Sequence, residues 1–292
     1  MSHASRVDLQ YLKFRSDQLQ VCRQYMQEKG VMEVMTPLLR QLTATDPHID
    51  SFKVGASYLQ TSPELSMKIL LGNHSGDIYQ LSPVFRDEPI TGPYHQTEFL
   101  MLEWYRLNID ERQLAHEVVE LIRRLGITDP ATFYDLRDAF HSFYGQDLWL
   151  LSDHELVMLS QEQMDIAPDL ARQDYMELLI DRMVRALNKP LLVLLGFPEL
   201  MQLMARFDQR CEKARRFEVY IHGHEIANGF YELNDAILQR KRMIQDNLQR
   251  KILRKPIMPL DEGFLRAVGQ MPDCSGVALG LDRLIWLLLD QS

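Results

Sequence analysis

Phe85-Arg86-Asp87-Glu88, followed after a loop by Glu98-Phe99-Leu100-Met101-Leu102-Glu103-Trp104-Tyr105, is the stretch on which the reading of the fold turns. The intervening Pro89-Ile90-Thr91-Gly92-Pro93-Tyr94-His95-Gln96 is polar and broken by proline, so 78–86 and 98–106 are predicted to be two strands joined by that loop. Alternation puts Phe99, Met101, Glu103 and Tyr105 on one face of the second strand and Leu100, Leu102 and Trp104 on the other. The second face is apolar and is assigned to the core. On the first strand Arg86 and Glu88 point one way together. A face carrying an arginine, two carboxylates, a phenol and a phenyl ring is not a core face unless its charges are paired, because burying them unpaired costs several kcal/mol. A ligand surface is the reading adopted; the competing one is an ion pair from Arg86 to Glu88 or Glu103 on a solvated sheet.

Working outward, residues 7–29 place Leu9, Leu12, Leu19, Cys22 and Met26 at roughly helical spacing, with Gly30 as the stop. Val31 to Pro37 reads as a short strand ended by proline. In Thr61-Ser62-Pro63-Glu64 a hydroxyl followed by proline opens a helix with Glu64 in its first turn. Residues 107–190 alternate helical patterns, 111–125 and 170–188 the clearest, and read as an inserted helical layer. Beyond it, 191–195 suggests a buried strand, 217–221 and 225–233 a hairpin, 235–252 a charged helix, and 274–289 a strand leading into a final helix. Strands interrupted by helices without a regular βαβ repeat indicate an α+β fold with an antiparallel sheet. With no linker, repeat or low-complexity segment, residues 1–292 are expected to form one domain.

Composition sets outer limits. The 292 residues carry 41 acidic and 32 basic side chains, a net charge of -9, which argues against a general nucleic-acid binder. Two basic clusters, Arg210, Lys213, Arg215 and Arg216, then Arg240, Lys241, Arg242, Arg250, Lys251, Arg254 and Lys255, read as solvated faces, with a local basic patch as the alternative. Cys22, Cys211 and Cys274 are widely separated and form no CxxC pair, which fits a reducing cytoplasm. The N-terminal stretch lacks the apolar core of a signal peptide, and the run Leu284 to Leu289 is far too short to span a bilayer.

A second chemical constellation lies in 217–232. With a two-residue turn at His222-Gly223, Ile221 pairs with His224 and Tyr220 with Glu225, so that Glu218 shares a face with Glu225. Diagonal carboxylates of this kind can share one divalent cation. Strict alternation places Asn228 and Glu232 on the opposite face, and a bulge at Gly229 is the expected device for bringing them round. His222 and His224 read as turn and edge residues. The third constellation is Ser275-Gly276-Val277-Ala278-Leu279-Gly280-Leu281-Asp282-Arg283, a small-residue strand entering a helix that presents Arg283 near its N-terminus, where anions are favoured.

Taken in order, Gly30 to Pro37, Phe85 to Tyr105 and Gly276 to Arg283 resemble the three motifs of class II aminoacyl-tRNA synthetases. The resemblance spans nearly the whole chain. TSPE, MLEWY, RFEV and EIANGFYELNDA are similar to the lysine-specific members, above all to the short elongation factor P (R)-β-lysine ligases. The chain begins almost at the first catalytic helix, which implies no anticodon-binding barrel.

The resemblance implies ATP and Mg²⁺ as cofactors, a cytoplasmic homodimer whose interface is marked by Pro37, and an adenylate-forming ligase. It assigns Arg86 to the α-phosphate and the amino-acid carboxylate, Glu88 to the adenine amino group, Phe99 to adenine stacking and Arg283 to the γ-phosphate. Arg86 and Arg283 are the catalytic pair, and Glu218 and Glu225 the Mg²⁺ ligands. Glu64 is assigned to the substrate amino group, Asn228 to its carboxylate, and Glu103, Tyr105 and Glu232 to its side-chain ammonium. Ala278 stands where lysyl-tRNA synthetases generally carry glycine and the β-lysine ligases alanine, which moves the expected substrate from lysine toward (R)-β-lysine. The implied acceptor is a lysine ε-amino group of elongation factor P. A minimal lysyl-tRNA synthetase acting on tRNA and a non-catalytic lysine- or ATP-binding paralogue remain the alternatives. Three stretches depart from the family pattern: the loop containing Pro93 is one residue longer and lacks the usual arginine, the segment after the buried strand reads LLGFPELMQLMARFD, and Leu65 replaces an aromatic after SPE.

Overall fold

The computed structural model describes residues 9–88, 96–166 and 170–290. The chain folds as two compact units, one formed by 1–127 with 231–292 and the other by 128–230.

The first unit is built on the strands Ile78–Phe85, Glu98–Leu107 and Cys274–Gly280, paired antiparallel with Glu98–Leu107 in the middle. Met32–Glu33 adds a short parallel edge to Ile78–Phe85. The register sets side chains in cross-strand rows: Ile78, Tyr105 and Gly276, then Gln80, Glu103 and Ala278, then Ser82, Met101 and Gly280. Because strand side chains alternate, these rows share one face, and Tyr79, Trp104 and Val277 with Leu81, Leu102 and Leu279 take the other.

Trp104, Leu102, Val277 and Leu279 are all buried. The helix Glu111–Arg124 opens with a capping box formed by Asp110 and Gln113, and buries Leu114, Val118, Leu121 and Ile122 along one side. Each fully buried aliphatic side chain contributes about 1.5–3 kcal/mol, so the helices and the apolar sheet face account for most of this unit's cohesion. The first helix, Leu9–Glu28, buries Cys22, Tyr25 and Met26, and the Tyr25 hydroxyl donates to the Glu117 carbonyl at 3.0 Å. Leu284 to Leu288 of the last helix, Leu281–Asp290, are buried, as the apolar run predicts.

The second unit pairs Leu191–Phe197 antiparallel with Lys213–Ile221 and parallel with Thr132–Asp135, and Lys213–Ile221 pairs antiparallel with His224–Tyr231. The helices Leu136–Tyr144, Asp153–Gln163 and Arg172–Leu187 contribute Phe140, Leu156, Leu179 and Met183 to a core shared with Leu192 and Phe197. Within the helical layer expected over 107–190, the helix Arg172–Leu187 lies where the periodicity puts it, and the strand Leu191–Phe197 follows as expected. The strand Thr132–Asp135 and the helix Leu136–Tyr144 are too short for periodicity to separate them.

Two local expectations are corrected. The strand predicted to carry Arg86 and Glu88 on one face ends at Phe85. Arg86 makes one further bond, its N–H to the Thr97 carbonyl at 2.9 Å, and the next N–H, of Asp87, turns to the Asp50 carbonyl at 2.8 Å. The helix containing Glu64 runs from Glu64 to Gly72 with Pro63, not a hydroxyl residue, at its N-cap. The Ser62 hydroxyl still accepts from the Glu64 N–H at 3.4 Å.

Candidate active site

In the first unit, the helix Glu64–Gly72 brings up Glu64 and, one turn later, Lys68. Lys68 is buried, with Nζ 2.6 Å from Glu64 Oε1 and 2.7 Å from Glu232 Oε2. Glu103 is buried on the central strand, and Tyr105 donates its hydroxyl to Glu103 Oε1 at 2.7 Å. The other oxygen, Glu103 Oε2, is buried with no hydrogen-bond partner among the described residues. A buried acceptor without a donor is costly, and the usual explanation is a ligand or water that completes it.

Electrostatics point the same way. Burial, reinforced by Glu64, pushes the Glu103 carboxyl up to about 8, against the opposing effects of the Tyr105 hydrogen bond and Lys68. Burial alone would lower Lys68, yet Glu232 and Glu64 outweigh it and hold the ammonium above its ordinary value. Desolvation, then Glu103, Glu64 and Glu232, raise Tyr105 well above 10.0, so it stays a hydroxyl donor. Three carboxylates thus surround one ammonium, an environment that favours further positive charge.

Packing fixes these groups. Gly276 lies opposite Tyr105 in the register, and a Cβ built on it would come within 2.3 Å of Tyr105 Cε1 and 2.4 Å of Glu232 Oε1. No side chain can stand there without displacing both. Ala278 lies directly opposite Glu103 and is half-buried, so its methyl shares the face of the carboxylate whose Oε2 has no hydrogen-bond partner among the described residues. Buried Gln80 flanks Glu103 on the other side and accepts the Thr36 N–H at 2.8 Å, tying the segment before Pro37 to this face.

Further along the same unit, the Arg86 guanidinium lies 5.3 Å from the Phe99 ring centroid. Arg86 Nε and Glu88 Oε1 are both buried without hydrogen-bond partners among the described residues. Burial raises the Glu88 carboxyl, and Arg86 is the chief opposing influence. The two stay electrostatic neighbours although the strand expected to align them has ended. At the N-terminus of the last helix, Asp282 Oδ2 accepts the Leu100 N–H at 2.7 Å and Oδ1 takes Arg15 Nε at 3.1 Å. This anchors the turn from which Arg283 projects. The departure at Pro93 lies outside the described residues.

In the second unit the hairpin turn is as predicted: Ile221 pairs with His224 and Tyr220 with Glu225, and both turn residues have positive φ, His222 at 48° and Gly223 at 80°. The bulge does not fall at Gly229. The register shifts between Val219 and Tyr220, leaving Ile226 as the extra residue, so Asn228 lies directly opposite Glu218. Glu218 is buried and bonded by both the Arg216 guanidinium and the Tyr220 hydroxyl. Arg216 Nε also donates to Asn228 Oδ1 at 3.2 Å, Nη1 donates to the Met201 carbonyl at 2.8 Å, and the guanidinium sits 4.4 Å from the Phe197 ring centroid. Desolvation, then Glu218 and Glu225, raise Tyr220 well above its ordinary value. Glu225 is exposed.

Glu225 and Glu218 put two carboxylates on one hairpin, but both Glu218 oxygens are already bonded, so a hard cation taking Glu218 would have to share or displace the Arg216 or Tyr220 contact. Among the described residues no group of three or more His, Cys, Asp or Glu side chains could hold a metal alone. Such a set suits Mg²⁺, which takes one or two carboxylates and completes its shell with phosphates and water.

Sequence reasoning misses the cations. Lys68 sits among the apolar Met67, Ile69, Leu70 and Leu71, although its i,i+4 spacing from Glu64 is a usable signal. The basic clusters are not simply solvated faces. Arg216 is buried on Glu218. Arg250 is 1% exposed and donates to the Pro256 and Asp46 carbonyls at 2.7 Å each and to Asp50 Oδ1 at 3.0 Å. Lys255 Nζ joins Asp50 Oδ2 at 2.7 Å. Because the Asp50 carbonyl also holds the Asp87 N–H, these cations brace the backbone beside Arg86 and Glu88.

The chain matches the family described as tRNA synthetases class II (D, K and N) over residues 4–292. It is 38% identical to the elongation factor P (R)-β-lysine ligase of Avibacterium paragallinarum, an alignment covering 96% of this chain and 92% of that protein. Identity is 37% to the ligase of the same name from Haemophilus ducreyi, over 97% and 91% of the two chains. To that of Proteus mirabilis it is 39%, over 91% and 87%.

Proposed function

From the premise that the chain belongs to the class II tRNA synthetases (D, K and N), we propose that it is an ATP-dependent ligase that activates (R)-β-lysine as its adenylate and transfers the acyl group to a lysine ε-amino group of elongation factor P. The observation that carries this reading is the cluster of Glu64 with the buried Lys68, Glu103, Tyr105 and Glu232, in which Glu103 Oε2 has no donor among the described residues. Three carboxylates against one ammonium fit a ligand with two amino groups. The relatives' names supply the particular diamino acid and the acceptor.

In the first half-reaction a carboxylate oxygen of the amino acid attacks the α-phosphorus of ATP, the bond to the β-phosphate bridging oxygen breaks, and pyrophosphate leaves. Negative charge builds on the α-phosphate, where Arg86 stabilises it, with Arg283 on the γ-phosphate. Glu88 takes the adenine amino group and Phe99 its ring. Glu64 receives the substrate amino group nearer the carboxylate, Glu103 and Glu232 the side-chain ammonium, and the Tyr105 hydroxyl orients Glu103. Asn228 receives the substrate carboxylate. Glu218 and Glu225 would hold Mg²⁺, which when bound supplies positive charge to the phosphates. In the second half-reaction the acceptor nitrogen attacks the acyl carbon, the bond to AMP breaks, and the nitrogen loses a proton as the amide forms.

Ala278 supports the β-isomer, since it stands opposite Glu103 in the amino-acid pocket, where its methyl narrows the space open to the substrate. The exposed Met32, Met35 and Leu39 around Pro37 support a homodimer. No described helix is long and apolar enough to cross a membrane, and a cytoplasmic enzyme is the matching location.

The test is ATP–pyrophosphate exchange with lysine and with (R)-β-lysine, followed by incubation of the adenylate-loaded enzyme with elongation factor P or with tRNA. Exchange that is stronger with (R)-β-lysine, and label appearing on the protein acceptor, are the expected results. Absence of exchange with either amino acid would remove the reading. Arg86→Ala is expected to lower exchange by about 10³-fold, the order seen when a transition-state charge donor is deleted, with an unchanged unfolding midpoint.

A further inference from the structure

Lys68 takes no part in the adenylate chemistry, yet it is a fully buried cation inside the amino-acid pocket. Its side chain is 2% exposed, and Nζ makes short contacts with Glu64 at 2.6 Å and Glu232 at 2.7 Å. These two carboxylates come from distant parts of the chain, one in the first turn of a helix and the other just after the strand ending at Tyr231. One ammonium touching both bounds the separation of their oxygens by the sum of two hydrogen-bond lengths. Glu232 is held from its other side as well, since Glu232 Oε1 approaches Gly276 too closely to admit a Cβ there. Glu232 is thus confined on two sides, and the reach of Lys68 sets how far Glu64 stands from the wall formed by Glu232, Gly276 and Tyr105.

The ligand proposed for this pocket has two ammonium groups separated by a run of methylenes, with Glu64 at one end and Glu103 and Glu232 at the other. The distance between acceptors must match that run. We propose that Lys68 is a specificity-determining positioning residue: by bridging Glu64 and Glu232 it sets the spacing of the acceptors and so selects the chain length of the diamino acid. The inference rests on the reading of this pocket given above. An ion pair that only stabilised the fold would affect all substrates alike. A spacer affects their ratio.

The experiment compares kcat/KM in ATP–pyrophosphate exchange for a homologous series, 2,4-diaminobutyrate, ornithine, lysine and homolysine with their β-amino isomers, in the wild type, Lys68→Met and Lys68→Arg. Far-ultraviolet circular dichroism and thermal unfolding establish that each variant is folded. The wild type is expected to prefer one chain length over its neighbours by at least about 10-fold, the discrimination available from one methylene. Lys68→Met should bring that ratio close to unity. Lys68→Arg keeps the charge with a larger head group and should move the preference toward the longer homologue; it also carries the test if Lys68→Met does not fold. Wild-type discrimination that the folded variants retain unaltered would overturn the assignment alone. Exchange by the wild type with no diamino acid would overturn the reading of the pocket and this assignment with it.

Discussion

Each unit buries a glutamate beside a cation and a tyrosine, and the two arrangements differ in what is left over. In the second unit, Glu218 receives Arg216 on one oxygen and Tyr220 on the other, and Arg216 also donates to Asn228 and the Met201 carbonyl. In the first unit, Lys68 is shared between Glu64 and Glu232, Tyr105 serves one oxygen of Glu103, and the second oxygen has no donor among the described residues. A carboxylate whose oxygens are both supplied is already stable in the ligand-free protein. One with an oxygen that no described donor reaches, beside the carboxylates of Glu64 and Glu232, suits a cation. The contrast separates a carboxylate whose two oxygens are both bonded within the protein from one whose second oxygen the proposed substrate ammonium would complete.

The largest effect that could break this comparison is on stability in the second unit. Arg216→Met leaves Glu218 buried without its counter-charge and is expected to destabilise the protein by about 3–5 kcal/mol, measured by chemical denaturation. The double variant with Glu218→Leu should recover most of that loss, since removing both members of a buried pair is often nearly neutral. A loss under roughly 1 kcal/mol in the single variant would mean that Arg216 is not the partner on which Glu218 depends.

The next effect sharpens the other side. Glu103→Gln should raise KM for the amino acid about 100-fold, roughly 3 kcal/mol, as expected for one charge-assisted acceptor, while leaving KM for ATP nearly unchanged. The wild type adds a pH signature. The Glu103 carboxyl stands at about 8 in the folded protein against 4.5 ordinarily, so between those values the folded state holds a proton that the unfolded chain has released. Its contribution to stability is therefore present below the ordinary value and is lost as pH rises through about 8. Binding an ammonium has the opposite preference and expels that proton, so KM for the amino acid should fall as pH rises toward 8 and then level off. Glu103→Gln should flatten both profiles; a pH-dependent KM that persists in the variant would assign the titration to another group.

The smallest effect concerns the methyl group beside Glu103. Ala278→Gly is expected to move the ratio of specificity constants toward lysine and away from (R)-β-lysine by about 10-fold, corresponding to roughly 1–2 kcal/mol. An unchanged ratio would show that the half-buried methyl does not bear on the choice of substrate.

Much of the framework is legible in the sequence because it rests on local periodicity. The apolar alternation of Leu100, Leu102 and Trp104 identifies a buried sheet face, and His222-Gly223 identifies the turn. The strand expected to reach Arg86 stops one residue earlier because Asp87 finds its partner in Asp50, a contact no local rule supplies. Glycine makes a bulge easy at Gly229, yet the bulge lies at Ile226, where pairing along the whole hairpin requires it. Arg216 and Arg250 resemble surface charge because arginine is rarely buried, and only the carboxylates and carbonyls gathered from elsewhere in the chain make their burial tolerable.

By itself the sequence determined the α+β alternation of elements, the apolar face of the central strands, and the presence of carboxylates, arginines and a phenol in patterns suited to an adenylate-forming site. These depend on residue type and on spacing within a few residues, which a linear pattern records. Only the tertiary structure decided which carboxylates Lys68 joins, which oxygen of Glu103 the Tyr105 hydroxyl reaches, and which cations brace the loop behind Glu88. Those outcomes depend on distances between groups far apart in the chain and on the removal of water around them. Burial turns a modest charge interaction into one that sets protonation and the demand for a ligand.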